Sequence, residues 1–209
     1  GLDHIMLSRD VNVKKAKVYC AVPRADYAAR PLSEIHWNGQ RVMAEIIRGP
    51  CVGYADLEHD RDPVGESASD QAIVHEYIAR YYEFLAITWP DRTFRRDAIV
   101  LWSDSKKKFS AHIHFPSVMF MNNFSQQKSF TEAFYAWVGE QESVLNQLYW
   151  HRSAAGDSHR YVMDSGVYTK NRAWRLPGHS KFGENRPLRV PAGITTLGPC
   201  LISLGPGAC

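Results

Sequence analysis

Three short segments of the sequence carry side chains that could bind metal ions or phosphate groups. The first is Asp56-Leu57-Glu58, at the end of a mostly apolar segment that is typical of a β-strand. Since residues two apart on a strand share a face, the two carboxylates would project together. A divalent cation would relieve their repulsion and desolvation, and oxygen ligands suit magnesium or manganese. The alternative is a solvated strand end that leads into a charged turn.

The second segment, residues 110–115, repeats this alternation. Ser110, His112 and His114 would lie on one face of a strand. A hydroxyl and an imidazole that point the same way could bind an anionic phosphate, but they could also be zinc ligands or a satisfied polar sheet face. Zinc would need further ligands at a spacing that this sequence does not show. His114 is interpreted as structural, because an isolated imidazole usually has such a role.

The third segment, residues 164–181, places one aspartate before a run of basic and aromatic residues. Basic and aromatic residues in alternation suit phosphates and stacked bases. Asn171 adds an amide that can donate and accept hydrogen bonds. A solvated amphipathic edge is the alternative interpretation. The other residues concerned are Asp164, Tyr168, Lys170, Arg172, Trp174, Arg175 and Lys181.

The surrounding sequence predicts short strands and two helices that would position these segments. The segments 41–48 and 51–58 are separated by a Gly-Pro turn and are predicted to pair as a hairpin. Apolar residues at helical spacing predict helices over about 70–88 and about 129–150. The mixture indicates an α+β, or mixed α/β, fold. Strands are predicted over residues 17–22, 41–48, 51–58, 98–102, 110–115 and 160–163.

The composition is that of an ordinary globular chain. Its 209 residues are 44% hydrophobic, with 25 Lys+Arg against 22 Asp+Glu and a net charge of +3. These values exclude wholesale disorder, collagen and coiled coil, and no apolar run approaches the ~18 residues of a membrane-spanning helix. Four cysteines without paired spacing favour a reducing compartment. The small net charge hides an acidic segment at 56–62 and basic segments at 106–108 and 170–181.

Taken in this order, the three segments resemble motifs of the archaeo-eukaryotic primase superfamily, specifically its primase-polymerase (PrimPol) branch. That branch has D-x-E on one strand, S-x-H on another, and an aspartate leading into V-Y-T-x-N-R-x-[FW]-R-L. Residues 167–176, after Asp164, are similar to the last pattern, and residues 180–183 are similar to the branch's S-K-[IF]-G element. The resemblance covers residues 41–183.

The resemblance implies a single two-lobed catalytic core whose larger lobe is RRM-like. Residues 1–49 would form mainly a smaller αβ lobe, and residues 50–190 mainly the RRM-like catalytic lobe. Residues 191–209 would be a tail without assignment.

The resemblance also implies a metal site and a nucleotide site. Asp56, Glu58 and Asp164 would hold two divalent cations, Mn²⁺ or Mg²⁺, as the catalytic carboxylates. Such cations activate a 3′-hydroxyl and neutralise triphosphate charge. The residues that would contact the nucleotide are Lys108, Ser110, His112, Asn171, Arg172, Arg175 and Lys181.

The activity implied is that of a DNA primase or DNA-directed polymerase that adds dNTPs or NTPs to a nucleic-acid 3′ end. It would serve DNA damage tolerance, by translesion synthesis or repriming. The partners expected are a DNA template and primer, the nucleotide and a single-strand-binding protein. The chain would act as a monomer without a membrane, inside the cell, in the nucleus or mitochondrion of a eukaryote. Two alternatives remain open: a metal-dependent nuclease or hydrolase, and an inactive nucleic-acid-binding module.

Three features depart from the family pattern. The interval from His112 to Asp164 is shorter than in many relatives, and Ala173 stands where relatives can carry a polar residue. No C-terminal zinc site is visible, because Cys200 and Cys209 supply only two ligands. The sequence therefore favours primer extension over primer initiation.

Overall fold

The computed structural model describes residues 3–12, 16–36, 38–60, 70–103, 105, 108–141 and 162–205. Two antiparallel sheets and three α-helices in these residues confirm the predicted α+β class. The strands are β1 (His4–Asp10), β2 (Lys17–Pro23), β3 (Met43–Ile46), β4 (Cys51–Asp60), β5 (Ile99–Trp102), β6 (Lys108–Phe120) and β7 (Ala173–Arg175). The helices are α1 (Arg24–Ala28), α2 (Asp70–Thr88) and α3 (Lys128–Gly139).

The first sheet has the strand order β2-β1-β3-β7. Alternate residues of β1 divide between its faces, so that Ile5 and Leu7 are buried while His4 and Met6 lie on the opposite face. Residues from both ends of the chain complete the small core under Ile5 and Leu7. They are Tyr27, Ile35, Met43, Leu176, Leu197 and Leu201.

The second sheet has the strand order β4-β6-β5. An antiparallel bridge from Leu57 to Met163 places one further chain segment beside the outer edge of β4. Helices α2 and α3 pack on this sheet, and Tyr81 of α2 stacks on Phe115 of β6 with ring centroids 3.9 Å apart. The chain order β4-α2-β5-β6-α3-Met163 is the β-α-β-β-α-β connectivity of a ferredoxin-like sheet. This arrangement agrees with the RRM-like lobe that the resemblance implies, and the lobe boundaries stay a prediction.

The predicted hairpin between 41–48 and 51–58 is wrong. Strand β3 pairs with β1 and β7, whereas β4 pairs with β6 over its whole length. The other edge of β4 forms hydrogen bonds with residues 162–164, so β4 has no free edge along this stretch with which β3 could pair. Gly49, at φ 69°, lies in the connection that carries the chain from one sheet to the other.

Other boundaries also differ from the prediction. Helix α2 confirms the helix predicted over 70–88, whereas α3 ends at Gly139, and residues 142–150 lie outside the described part of the chain. Strand β6 extends beyond the predicted 110–115. Of the strand predicted over 160–163, the described residues give one bridge at Met163, and residues 160–161 lie outside them.

The C-terminal segment, which has no predicted assignment, links the two sheets. The Glu45 carboxylate on β3 accepts hydrogen bonds from the backbone N–H groups of Ile202 (2.9 Å) and Ser203 (2.8 Å). The backbone N–H of Val52 on β4 donates to the Ile202 carbonyl at 2.9 Å. Among the described residues, no helix has the length and apolar character needed to span a membrane.

His179 ties the segment after β7 to β3. Its ring is fully buried, and its Nδ1 accepts a hydrogen bond from the Met43 N–H at 2.9 Å. Burial lowers the pKa of His179 to about 4. The neutral ring therefore contributes stability above the unfolded pKa of ~6.5, and this contribution is lost as the pH falls toward the folded pKa.

We expect the free energy of unfolding to fall by up to about 3 kcal/mol through His179 between pH ~6.5 and ~4. Urea denaturation at several pH values measures this loss, and His179→Asn should make the pH dependence smaller by the contribution of His179. His75→Asn, an exposed position on α2, should keep the wild-type dependence. Equal pH dependence in wild type and His179→Asn would contradict the prediction.

Candidate functional site

Three carboxylates, those of Asp56, Glu58 and Asp164, lie on one face of the second sheet and are called the acidic row below. Strand pairing places Asp56 opposite His112, and Glu58 opposite Ser110. On the other side of β4, the Asp164 N–H donates to the Asp56 carbonyl at 2.9 Å. Because residues opposite each other on paired strands are neighbours on one face, Asp164, Asp56 and His112 lie side by side.

The Asp56 carboxyl lies in an environment that disfavours its charged form. Its Oδ1 is buried and accepts no hydrogen bond from the described residues. Burial first, and then the charges of Glu58 and Asp164, raise the pKa of Asp56 to about 7, while Lys181 and Arg175 act in the opposite direction. The site thus concentrates negative charge where water cannot solvate it fully.

Basic side chains from β7 and from the residues on either side of it line the same site and are called the basic wall below. Arg175 Nη1 donates to Ser103 Oγ at 3.1 Å and to the Arg186 carbonyl at 3.2 Å, which fixes the guanidinium. Arg172 Nη1 donates to the Gly166 carbonyl at 3.3 Å. Because the two arginines lie near the carboxylates, positive and negative charges are close together in this site.

The acidic row and the basic wall share one cleft of about 210 Å³. It brings together eight of the predicted site residues from four separate parts of the chain. They are Asp56, Glu58, Ser110, His112, Asp164, Arg172, Arg175 and Lys181.

Lys108 and Asn171, the remaining predicted site residues, are not among the residues that line this cleft. Lys108 Nζ pairs with Glu58 Oε2 at 2.9 Å. Asn171, at φ 57°, lines a neighbouring cavity. The roles of all the predicted site residues stay predictions.

Trp174 packs beneath the cleft. Its ring centroid lies 4.2 Å from that of His112, and its indole N–H donates to His114 Nε2 at 2.9 Å. Burial lowers the pKa of His112 well below its usual value and that of His114 to about 3, so both rings are neutral at pH 7. The bond to Trp174 gives His114 the structural role that the sequence predicts.

The prediction that Tyr168 and Trp174 stack on bases is wrong. They are only 3% and 2% exposed. Both rings pack against Tyr54, with centroids 5.3 Å and 4.5 Å away. The aromatic residues of this segment therefore anchor it in the core, while Arg172, Arg175 and Lys181 line the cleft.

Three polar residues of the first sheet also line the cleft, and none of them is among the predicted site residues. Ser8 and Asp10 lie on β1, and Lys17 on β2 forms an ion pair with Asp10. The signal that could have found them is the alternation of buried Ile5 and Leu7 with residues of the other face. That alternation predicts a strand that presents Ser8 and Asp10 together.

The carboxylates have the donor chemistry of a divalent-cation site. Among the described residues, no group of three or more His, Cys, Asp or Glu side chains is placed so that it could hold a metal ion. Glu58 pairs with Lys108, and Asp164 Oδ1 accepts the Gly166 N–H at 2.8 Å. The three carboxylates offer oxygen donors, the type that Mg²⁺ and Mn²⁺ prefer, and Asp56 Oδ1 accepts no hydrogen bond from the described residues.

Comparison with known proteins gives a limited link to primases. No family model matches the chain. "Uncharacterized protein ORF49" of Ostreid herpesvirus 1 is 25% identical over 94% of this chain and 18% of that protein. "Putative primase" of the same virus is 30% identical over 42% of this chain and 8% of that protein. The chain therefore spans less than a fifth of either relative.

Proposed function

We propose that the chain carries the catalytic core of a primase-polymerase, a DNA-directed enzyme that adds dNTPs or NTPs to a nucleic-acid 3′ end. One observation carries the proposal: a single cleft holds the three carboxylates of the acidic row, a Ser-x-His pair and a basic wall. A nucleotidyltransferase needs these elements together, since a triphosphate is bound and its charge is neutralised during transfer. The partial likeness to a protein named as a primase supports the same class.

The acidic row supplies the metal ligands in this proposal. Asp56, Glu58 and Asp164 would hold Mn²⁺ or Mg²⁺, and the bound cations supply charge neutralisation and a more acidic 3′-hydroxyl. Burial of Asp56 excludes water from its carboxylate, which strengthens its interaction with a cation. Removing the cations with EDTA should abolish incorporation.

The basic wall binds the triphosphate. Arg175 is fixed by Ser103 before any ligand arrives, and Lys181 is exposed at the cleft. Charge-assisted hydrogen bonds from such groups are about twice as strong as neutral ones. His112 lines the cleft and is neutral, so one of its ring nitrogens carries a hydrogen that can be donated.

A paired assay tests the proposal. Labelled nucleotides are supplied with primed and with unprimed single-stranded DNA, in Mn²⁺ or Mg²⁺. Extension of the primer supports the proposal, and products on the unprimed strand add primase activity. Cleavage of single-stranded DNA without nucleotides would instead indicate a nuclease, and binding without either reaction would indicate an inactive module. In the cell, the proposed enzyme would serve translesion synthesis or repriming, with a single-strand-binding protein as partner.

Lys181→Ala should raise KM for the nucleotide by about tenfold with little change in kcat, because a charge-assisted hydrogen bond contributes ~1.5–3 kcal/mol. The melting temperature should stay unchanged, since the side chain is exposed. Lys128→Ala, another exposed lysine that does not line the cleft, serves as the control. An unchanged KM with a lowered melting temperature would show a structural role for Lys181.

A further inference from the structure

A second groove, of about 690 Å³, lies beside the cleft. Residues of β1, β2, α1 and the end of β3 line it, together with the turn that precedes α3, the chain just before β7 and the C-terminal segment. The lining residues used below are His4, Met6, Arg24, Ile46, Arg48, Phe124 and Lys170.

The groove continues the cleft along one face of the first sheet. On β1, Ser8 lines the cleft, and Met6 and His4 line the groove. On β3, Ala44 lines the cleft and Ile46 lines the groove. Residues two apart on a strand share a face and are about 7 Å apart, so the two cavities follow one another in the same direction on both strands.

The charge of the groove is opposite to that of the acidic row. Arg24, Arg48 and Lys170 line it, and no Asp or Glu is among its lining residues. Arg48 and Lys170 are exposed, and neither forms an ion pair with another described residue. Such a surface attracts a polyanion whose phosphates are spaced along the groove.

An exposed aromatic ring stands at the same groove. Phe124 is 43% exposed in the turn before α3. This turn is anchored by the side-chain amide of Asn123, which donates to the Thr169 carbonyl at 2.8 Å and to Tyr54 Oη at 3.0 Å. The anchor holds Phe124 and the neighbouring Lys170 on the same groove, so stacking and phosphate contacts are offered together.

We propose that this groove binds single-stranded nucleic acid and leads it along the first sheet to the cleft. The proposal rests on the proposed function, because it makes the groove the path of the template or primer strand. A single strand fits better than a duplex, since an aromatic ring can stack only on unpaired bases. The basic side chains along the groove contact phosphates, so binding should not depend on the nucleotide sequence.

Binding without catalysis tests the groove. Fluorescence anisotropy with labelled dT20 and rU20 is measured in EDTA without nucleotides, over a range of salt concentrations. Each phosphate contact on a single strand contributes about 0.7 to the slope of log Kd against log salt. Arg48→Ala with Lys170→Ala should therefore lower the slope by about 1.4 and weaken binding, and Phe124→Ala should weaken it by about tenfold or more.

Arg92→Ala with Arg95→Ala is the matched control, because both arginines are exposed and line neither cavity. This control should bind as wild type does. Wild-type protein that binds neither oligonucleotide, or groove variants that keep the wild-type slope and Kd, would overturn the proposal. Failure of the proposed function would instead appear as normal binding without nucleotide incorporation.

Discussion

Replacing Asp56 and Glu58 together by alanine is expected to lower nucleotide incorporation by about 10³-fold or more, without unfolding the protein. The loss follows because two of three carboxylates that would hold the cations disappear, and electrostatic stabilisation of this kind contributes several kcal/mol to the transition state. Primer extension on a defined template measures the loss. Isothermal calorimetry with Mn²⁺ should show the matching loss of metal binding.

The melting temperature of the Asp56/Glu58 double variant should not fall, although its activity is lost. The Asp56 side chain is only 13% exposed, and this desolvation together with neighbouring like charges raises its pKa to about 7, so its charged form costs free energy in the folded state. Glu58 pairs with Lys108 where both side chains are about a quarter exposed, at 27% and 28%, and such a pair contributes little. We expect an equal or higher melting temperature in the double variant.

The control for the activity measurement is Glu132→Ala with Glu140→Ala, which removes two exposed carboxylates of the α3 region. This control should leave activity intact. Full activity in the Asp56/Glu58 variant would refute the metal assignment.

Replacing Trp174 by alanine is expected to lower the free energy of unfolding by about 3–5 kcal/mol, as large aromatic-to-alanine changes in cores do. The indole is 2% exposed and packs against Tyr54 and the cleft imidazole of His112. Urea denaturation followed by circular dichroism measures the loss. The cavity would lie directly under His112, so nucleotide affinity should fall as well.

Trp174→Phe separates packing from hydrogen bonding. It keeps most of the ring but leaves His114 Nε2 without its donor, which should cost about 1–3 kcal/mol. Tyr19→Ala removes an aromatic ring that is 58% exposed, and it should change stability by less than about 0.5 kcal/mol. A Trp174→Ala variant as stable as Tyr19→Ala would show that the indole does not anchor the cleft.

Local patterns in the sequence carry most of the secondary structure near the site. Helix α2 begins and ends where apolar spacing and the following Pro90 predict it. The alternation in residues 110–115 predicts the strand that presents Ser110 and His112 together, and the structure confirms that they share a cleft. These features depend on neighbours within a few residues, so a single sequence is enough to predict them.

Features that depend on distant partners could not be predicted in the same way. The hairpin error arises because β4 finds both of its neighbours far away, in β6 and in residues 162–164. Trp174 has the same sequence context whether it stacks on a base or fills a core, and only the position of Tyr54 decides between them. Ser8 and Asp10 reach the cleft only because β1 pairs with β3.

Strand β7 has a consequence for the entropy of ligand binding. Its backbone bonds to β3 in the first sheet, while Trp174 at its centre bonds to His114 of the second. A hinge motion that separated the sheets would have to break the indole hydrogen bond and expose the ring. The guanidinium of Arg175 is therefore held near the carboxylates before a ligand arrives. The entropic cost of ordering this side of the cleft is met during folding. The binding of a triphosphate there therefore does not include that cost.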